Sequence, residues 1–267
     1  MKRKLHPAIS TVGVLGMVFL YVPLLVVAIY SFNSAKRGLM WQGFSFKWYS
    51  SLLSRPDVVL AVKNTLILAC VLTAISTVLG TLMGLALPRF PWSKRTRSFL
   101  DLLVFLPVVT PDIVFAVILV VAFTLLQKLH SIFDFGMTTM IIAHVTFQIA
   151  FVALVVQSRL ATIGRSLEEA ARDLYASTRY LMWRIMLPLL LPGIIAGSML
   201  AFTLSLDDYI ITYLTCGDEE TRTLPLLLQA SLRQGLSNDL NALSTVMLTA
   251  TVILVLGIER LTRKEAS

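Results

Sequence analysis

Residues 159–187 read RLATIGRSLEEAARDLYASTRYLMWRIML. The stretch is polar and charge-rich, and it joins an apolar run at 138–158 to another at 188–214. Each of those runs is long enough to cross the roughly 30 Å of hydrocarbon that takes about 20 apolar residues. Similar runs occur at about 8–30, 64–87, 99–126 and 242–259, which predicts six transmembrane helices. The first run is too long for the apolar part of a signal peptide, and Ile29-Tyr30-Ser31-Phe32 makes a poor cleavage site, so it reads as a retained helix. Composition agrees. Of the 267 residues, 57% are hydrophobic and only 14% charged, with a mean hydropathy of +0.80. A soluble domain carries about 25% charged residues. The chain cannot cover itself in polar surface, which excludes a soluble enzyme, a disordered chain and a fibrous protein. The fold expected is an all-α integral membrane protein, a single transmembrane domain over 1–267.

The net charge of +8 does not point to nucleic acid, because basic residues flank membrane spans on the cytoplasmic side. With the N-terminus inside, fifteen Lys and Arg fall in inside segments and eight outside. The inside set includes Lys2, Arg3, Lys4, Arg89, Lys94, Arg159, Arg172, Arg184, Arg260, Arg263 and Lys264. Both termini and the 159–187 loop are therefore expected in the cytoplasm. Cys70 and Cys216 both sit in or beside apolar runs and are not expected to pair.

The loop itself reads as two helices. Ser166 and Glu169 have capping-box spacing. Glu168 and Arg172 stand four apart in the favourable order. Leu167, Ala170, Ala171 and Leu174 make a small apolar face, and a second helix can begin at Ser177 and run into the fifth span. Two readings stay open from the residues: an amphipathic loop resting on the bilayer, or a docking surface for a soluble partner.

Here the chain resembles a family. Permease subunits of bacterial ABC importers carry a cytoplasmic loop with Glu-Ala-Ala, then Gly after three residues, then Ile-x-Leu-Pro after nine more. This chain has Glu169-Ala170-Ala171 and Ile185-Met186-Leu187-Pro188 at that spacing, with Tyr175 where the family has Gly. A left-handed turn there strains any residue with a Cβ, so either the turn is rebuilt or Tyr175 packs somewhere specific. Ser31-Phe32-Asn33-Ser34, Trp41-Gln42-Gly43-Phe44, Lys47-Trp48-Tyr49, Pro111-Asp112-Ile113-Val114 and Phe202 to Tyr209, with its Ser205-Leu206-Asp207-Asp208, look most like the spermidine/putrescine-type permeases. The resemblance implies a type I importer permease with six spans, a core domain at about 60–256 and a coupling helix. It places ATPase coupling on Glu168, Glu169, Ala170, Ala171, Asp173, Tyr175 and Ala176. It implies as partners two ATP-binding subunits, a second permease, an extracytoplasmic solute-binding protein and the lipid bilayer, in a bacterial inner membrane, with a polyamine as cargo or, since related importers share the general plan, ferric iron, thiamine or an oxyanion as the alternative.

Three acids lie within the apolar runs, and each costs roughly 2.5–3.5 kcal/mol at the bilayer centre. Asp112 follows Pro107 and Pro111; Asp207 and Asp208 lie in the outer half of the fifth run. They either pair with a polar group on another helix, or cap a helix break, as Asp112 can near Pro111, or line a path for a cation. In the last case Tyr209, Phe202 and Phe115 supply apolar walls for a polyamine. If Asp207 and Asp208 are helical, they point about 100° apart, so one faces the path. His144 and Gln148, four apart on the fourth run, are expected to hydrogen-bond between helices. No group of ligands has metal spacing and no phosphate-binding Gly-x-x-x-x-Gly-Lys-[Ser/Thr] occurs. The chain is thus expected to have no cofactor, metal or catalytic residue and to rely on a separate ATPase. The absence of an internal repeat argues against an independent carrier, and the shortage of acids or His at one depth argues against an intramembrane enzyme.

Overall fold

The computed structural model describes residues 7–36, 40–233 and 238–265, apart from the side chains at 7–10, 254–255 and 257–265. Lys2, Arg3, Lys4 and Arg37, and the side chains of Arg260, Arg263 and Lys264, which enter the charge count, lie outside the described residues. The chain divides into two compact units, Met1–Val59 with Leu227–Leu256, and Leu60–Leu226 with Gly257–Ser267.

In the first unit, α1 (Pro7–Tyr30) is apolar on every side and its described residues are mostly exposed, as suits a lipid-facing span. The short sequence strings that follow it gather into one knot. Asn33 is fully buried, and its Oδ1 accepts from the amides of Ala35 and Gln42 while its carbonyl accepts from Trp48 Nε1 at 2.7 Å. Ser31 Oγ lies 2.6 Å from the Tyr49 hydroxyl on α2 (Lys47–Leu53), and Phe32 stacks on Phe44 at 5.2 Å. Arg55 joins Asp57 to Asp239, on α12 (Asn238–Glu265).

The second unit is built around α6 (Met137–Thr162), the most buried of the long helices, packed against α4 (Lys94–Val109), α5 (Asp112–Leu126), α9 (Leu187–Asp207) and α10 (Ile210–Thr215). The long α3 (Pro56–Arg89) approaches α6 through Gly80 and Gly84, four residues apart. A Cβ on Gly80 would come within 2.6 Å of Val152 Cβ, and one on Gly84 within 2.9 Å of the Ala153 carbonyl. This is the small-residue spacing that lets membrane helices touch backbone to backbone.

Among the described residues, four helices are long and apolar enough to cross a membrane: Thr11–Tyr30, Pro56–Arg89, Met137–Thr162 and Thr178–Asp207. A fifth is added if α4 and α5 count as one span. Two expectations need correction. The run 99–126 is not one straight helix; α4 and α5 meet at 116°. Pro111 has no amide hydrogen to continue the ladder, and it forces Thr110 into extended backbone with ψ 130°. The run 188–214 also breaks, because Asp208 is extended with ψ 125° and α10 restarts at Ile210. The sixth run, 242–259, lies within α12, partly beyond the described side chains. Ahead of α9, residues Leu181–Met186 widen into a π-helical segment. Pro188 cannot donate to the carbonyl of Arg184, so an α-helical ladder would leave a gap there.

Candidate functional sites

The breaks in the two bent runs face each other. Asp112 in the first turn of α5, His144, Phe147 and Gln148 on α6, and Leu204 through Ile210 at the α9–α10 break, Ser205 and Leu206 excepted, line a pocket of 390 Å³. The pocket gathers all four substrate-path residues expected from sequence, Asp112, Asp207, Asp208 and Tyr209. Its walls differ from expectation. Phe115 is buried behind the pocket against Phe147, ring centres 5.3 Å apart, and Phe202 does not line it; Phe147 and Leu204 do. Tyr209 stacks on Tyr213 at 5.4 Å.

The acids divide their work. Asp208 Oδ2 accepts from the Thr212 amide at 2.9 Å and from the Thr212 hydroxyl at 3.0 Å, and so caps the start of α10. Since the Thr212 hydroxyl has given its hydrogen to Asp208, the Nε2 of His144, 3.0 Å away, must donate to it. His144 Nε2 also stands 3.4 Å from Asp208 Oδ2. Capping was one of the readings left open for Asp112; the structure gives that part to Asp208, and Pro111 takes the cap position of α5 without a side-chain bond. Asp207, the last helical residue of α9, is exposed, and neither it nor Asp112 forms an ion pair among the described residues. The two adjacent acids do differ in direction, but through the extended turn at Asp208 and not through a helical offset of 100°.

His144 makes the interhelical bond expected of it. Gln148 does not: it is 1% exposed, and its Oε1 has no hydrogen-bond partner among the described residues. His144 as a partner for Asp208 and Gln148 as an open acceptor were both missed in sequence. The i, i+4 pair placed them on one face of α6, but nothing local says what lies opposite.

The loop folds as two helices with one change of cap. α7 (Arg165–Asp173) begins after Gly164 with no side-chain cap, so the Ser166–Glu169 capping box does not form; Ser166 is already inside the helix. Glu168 pairs with Arg89 at the end of α3 at 2.5 Å instead of with Arg172. Both side chains of this pair are largely buried, so solvent screens it less than an exposed helix-surface pair, which gains only a few tenths of a kcal/mol. The apolar face is split. Ala171 and Ala176 pack into a cluster with Leu160, Leu181, Met186 and Leu190, while Leu167, Glu169, Ala170, Asp173 and Leu174 stay exposed.

Tyr175 ends α7 at φ 59°, the one non-glycine residue with positive φ among the described residues. Its amide donates to the Arg172 carbonyl at 2.9 Å, and the Ala176 amide donates to Ala171 at 3.0 Å. These are the two bonds of a Schellman turn, with the apolar contact between Ala171 and Ala176 that accompanies it. Tyr175 is 97% exposed. The turn is therefore neither rebuilt nor compensated by packing; tyrosine occupies the left-handed position at a cost of roughly 1–2 kcal/mol. The second helix, α8 (Thr178–Tyr180), starts where expected, with Ser177 Oγ accepting from the Tyr180 amide. Cys70 and Cys216 are both free.

Comparison with known proteins gives a consistent picture. The family profile described as "Binding-protein-dependent transport system inner membrane component" matches residues 76–263. The putrescine transport system permease protein PotI of Escherichia coli K12 is 41% identical over 242 residues, covering 90% of this chain and 85% of PotI. The spermidine/putrescine transport system permease protein PotC of the same organism is 34% identical over 245 residues, covering 92% of this chain and 90% of PotC. Among solved structures, a bacterial ABC transporter involved in importing the acidic polysaccharide alginate superposes with a TM-score of 0.77 at 17% identity, covering 96% of this chain and 94% of that one.

Proposed function

This chain belongs to the binding-protein-dependent transport system inner-membrane components and is the permease of an ABC importer, and from that premise we propose that its cargo is a polyamine, putrescine or spermidine. The observation that carries the proposal is the pocket at the two helix breaks. It holds the carboxylates of Asp112 and Asp207 with no Lys or Arg in its lining. Uncompensated acids at membrane depth are expensive unless a cation visits them. A polyamine supplies separated ammonium groups for the acids and a methylene stem for Leu204, Ile210 and the rings of Phe147 and Tyr209. The similarity to PotI and PotC supports the same cargo.

In this reading the chain is one transmembrane domain of six spans with both termini inside, counting α4–α5 as one bent span, α9–α10 as another and α12 as the last. It forms half of a pore with a second permease. Of the transporter's two ATP-binding subunits, one docks on α7, where Glu169, Ala170 and Asp173 are exposed beside the turn at Tyr175. Glu168, Ala171 and Ala176 serve from behind, by fixing α7 to α3 and to the packed cluster. An extracytoplasmic solute-binding protein delivers the cargo.

Uptake of radiolabelled putrescine and spermidine by the reconstituted transporter tests this. Asp207→Asn and Asp112→Asn each keep the size of the side chain and remove its charge. Each should slow uptake while the complex assembles in normal yield. Full uptake by the double variant would exclude cation passage through this pocket.

A further inference from the structure

The pocket contains one polar group that neither the fold nor the acids explain. Gln148 lies on α6, one turn after His144, is 1% exposed, and lines the pocket. Its Oε1 is buried and without a hydrogen-bond partner among the described residues. A buried carbonyl oxygen left in this state costs about 1–3 kcal/mol, and the great majority of such groups in native structures are paired. The neighbouring groups offer it nothing. His144 directs Nε2 to Thr212 and Asp208. Asp208 is an acceptor already engaged by Thr212. Asp112 and Asp207 are acceptors when ionised, Phe147, Leu204 and Ile210 have no side-chain donor, and the Tyr209 hydroxyl, a donor in the same lining, makes no bond to it. A ligand that satisfies Gln148 must bring its own N–H or O–H.

We propose that Gln148 is the pocket's selectivity residue, a neutral acceptor that admits protonated amines and rejects cations of equal charge that have no N–H. The proposal rests on the cationic cargo argued above. Coulomb attraction to Asp112 and Asp207 cannot make this distinction, because it acts equally on a primary ammonium and a quaternary one; their oxygens do accept an N–H, and Gln148 adds to them an acceptor that is buried and has no partner among the described residues. The ring of Phe147 cannot make it either, since aromatic faces also bind quaternary ammonium groups. Only a directional acceptor can. A site built around a buried hydrogen-bonding group rejects an analogue lacking the partner far more strongly than an apolar wall rejects extra bulk. Asp208 and His144 belong to the frame in this arrangement: they fix the α10 start and the depth at which the ammonium meets Gln148.

The test is equilibrium binding to the purified permease–ATPase complex without its solute-binding protein, so that upstream selection does not enter. Radiolabelled putrescine is displaced by unlabelled putrescine or by its bis-trimethylammonium counterpart. Wild type should prefer putrescine by at least about 100-fold, within the range a hydrogen-bonding site achieves. Gln148→Leu, which removes the acceptor and keeps the bulk, should reduce the preference by at least about tenfold, the share of one buried hydrogen bond. Gln148→Glu, which restores an acceptor, should recover it. Because the wild-type oxygen has no partner in the fold, Gln148→Leu should assemble and melt like wild type. A Gln148→Leu complex that keeps the wild-type preference, or one that fails to assemble because Gln148 is a structural bond, overturns the proposal and leaves the polyamine reading intact. Putrescine that does not bind this complex overturns this proposal, and if the full transporter does not take it up either, the cargo reading falls with it.

Discussion

Replacing Asp208 by alanine separates the framework from the cargo path. Asp208 caps α10 through the Thr212 amide and hydroxyl, at 2.9 and 3.0 Å. Thr212 is 1% exposed, so with Asp208 in place its amide and hydroxyl depend on that carboxylate and not on solvent. An N-cap is worth about 0.5–2 kcal/mol, and a buried amide left unpaired costs about 1–3 kcal/mol. These describe the same bonds and do not add, so the expected loss is about 2 kcal/mol. At 1.4 kcal/mol per tenfold, that shifts the local folding equilibrium by roughly 30-fold. The His144 bond to Thr212 should loosen with it, since the hydroxyl loses the acceptor that oriented it. Asp208→Asn keeps one oxygen for the Thr212 amide and should lose less than about 1 kcal/mol. Asp207→Ala removes an exposed side chain and should stay within about 0.5 kcal/mol of wild type, while uptake of putrescine falls. The assay is thermal unfolding and size-exclusion yield of the purified complex, measured beside uptake. If Asp208→Ala melts with wild type, or Asp207→Ala melts as low as Asp208→Ala, the division of labour between the two acids is wrong.

Three further outcomes follow from the loop. Ala170→Arg keeps good helix propensity but places a long side chain on the exposed face of α7; it should abolish binding-protein-stimulated ATP hydrolysis while the permease still inserts, and normal stimulation would mean that α7 is not the docking helix. Tyr175→Gly relieves a left-handed residue that makes no packing contact, so the loop should gain up to about 1 kcal/mol after the flexibility cost of glycine, read as slower amide hydrogen exchange over 165–180. Arg89→Ala leaves Glu168, only 17% exposed, without its partner and should cost about 1–3 kcal/mol, with Glu168→Gln on top restoring part of the loss in a double-mutant cycle of melting temperatures.

What the sequence determined by itself is what local rules govern. Apolar length marked the runs now seen as α1, α3, α6 and α9, because covering the hydrocarbon depends only on consecutive residues. The resemblance to importer permeases pointed to a left-handed turn at 175, and the residues within one helical turn do close a Schellman turn there, with Tyr175 neither displaced from it nor packed. Pro111 announced a break, but not its size; the 116° between α4 and α5 is set by what each half packs against. The roles of the polar residues came only from tertiary structure. Three acids at similar depth look alike in sequence, and so do His144 and Gln148 on one helical face. Asp208 became a cap and His144 its neighbour because α10 brings Thr212, 68 residues beyond His144, to within hydrogen-bond distance of both. Glu168 found Arg89 and not Arg172 because α3 ends beside α7. Gln148 was left open because nothing on the facing helices reaches it. A hydrogen bond is decided by a few tenths of an ångström between atoms distant in the chain, and helix periodicity carries no information at that range.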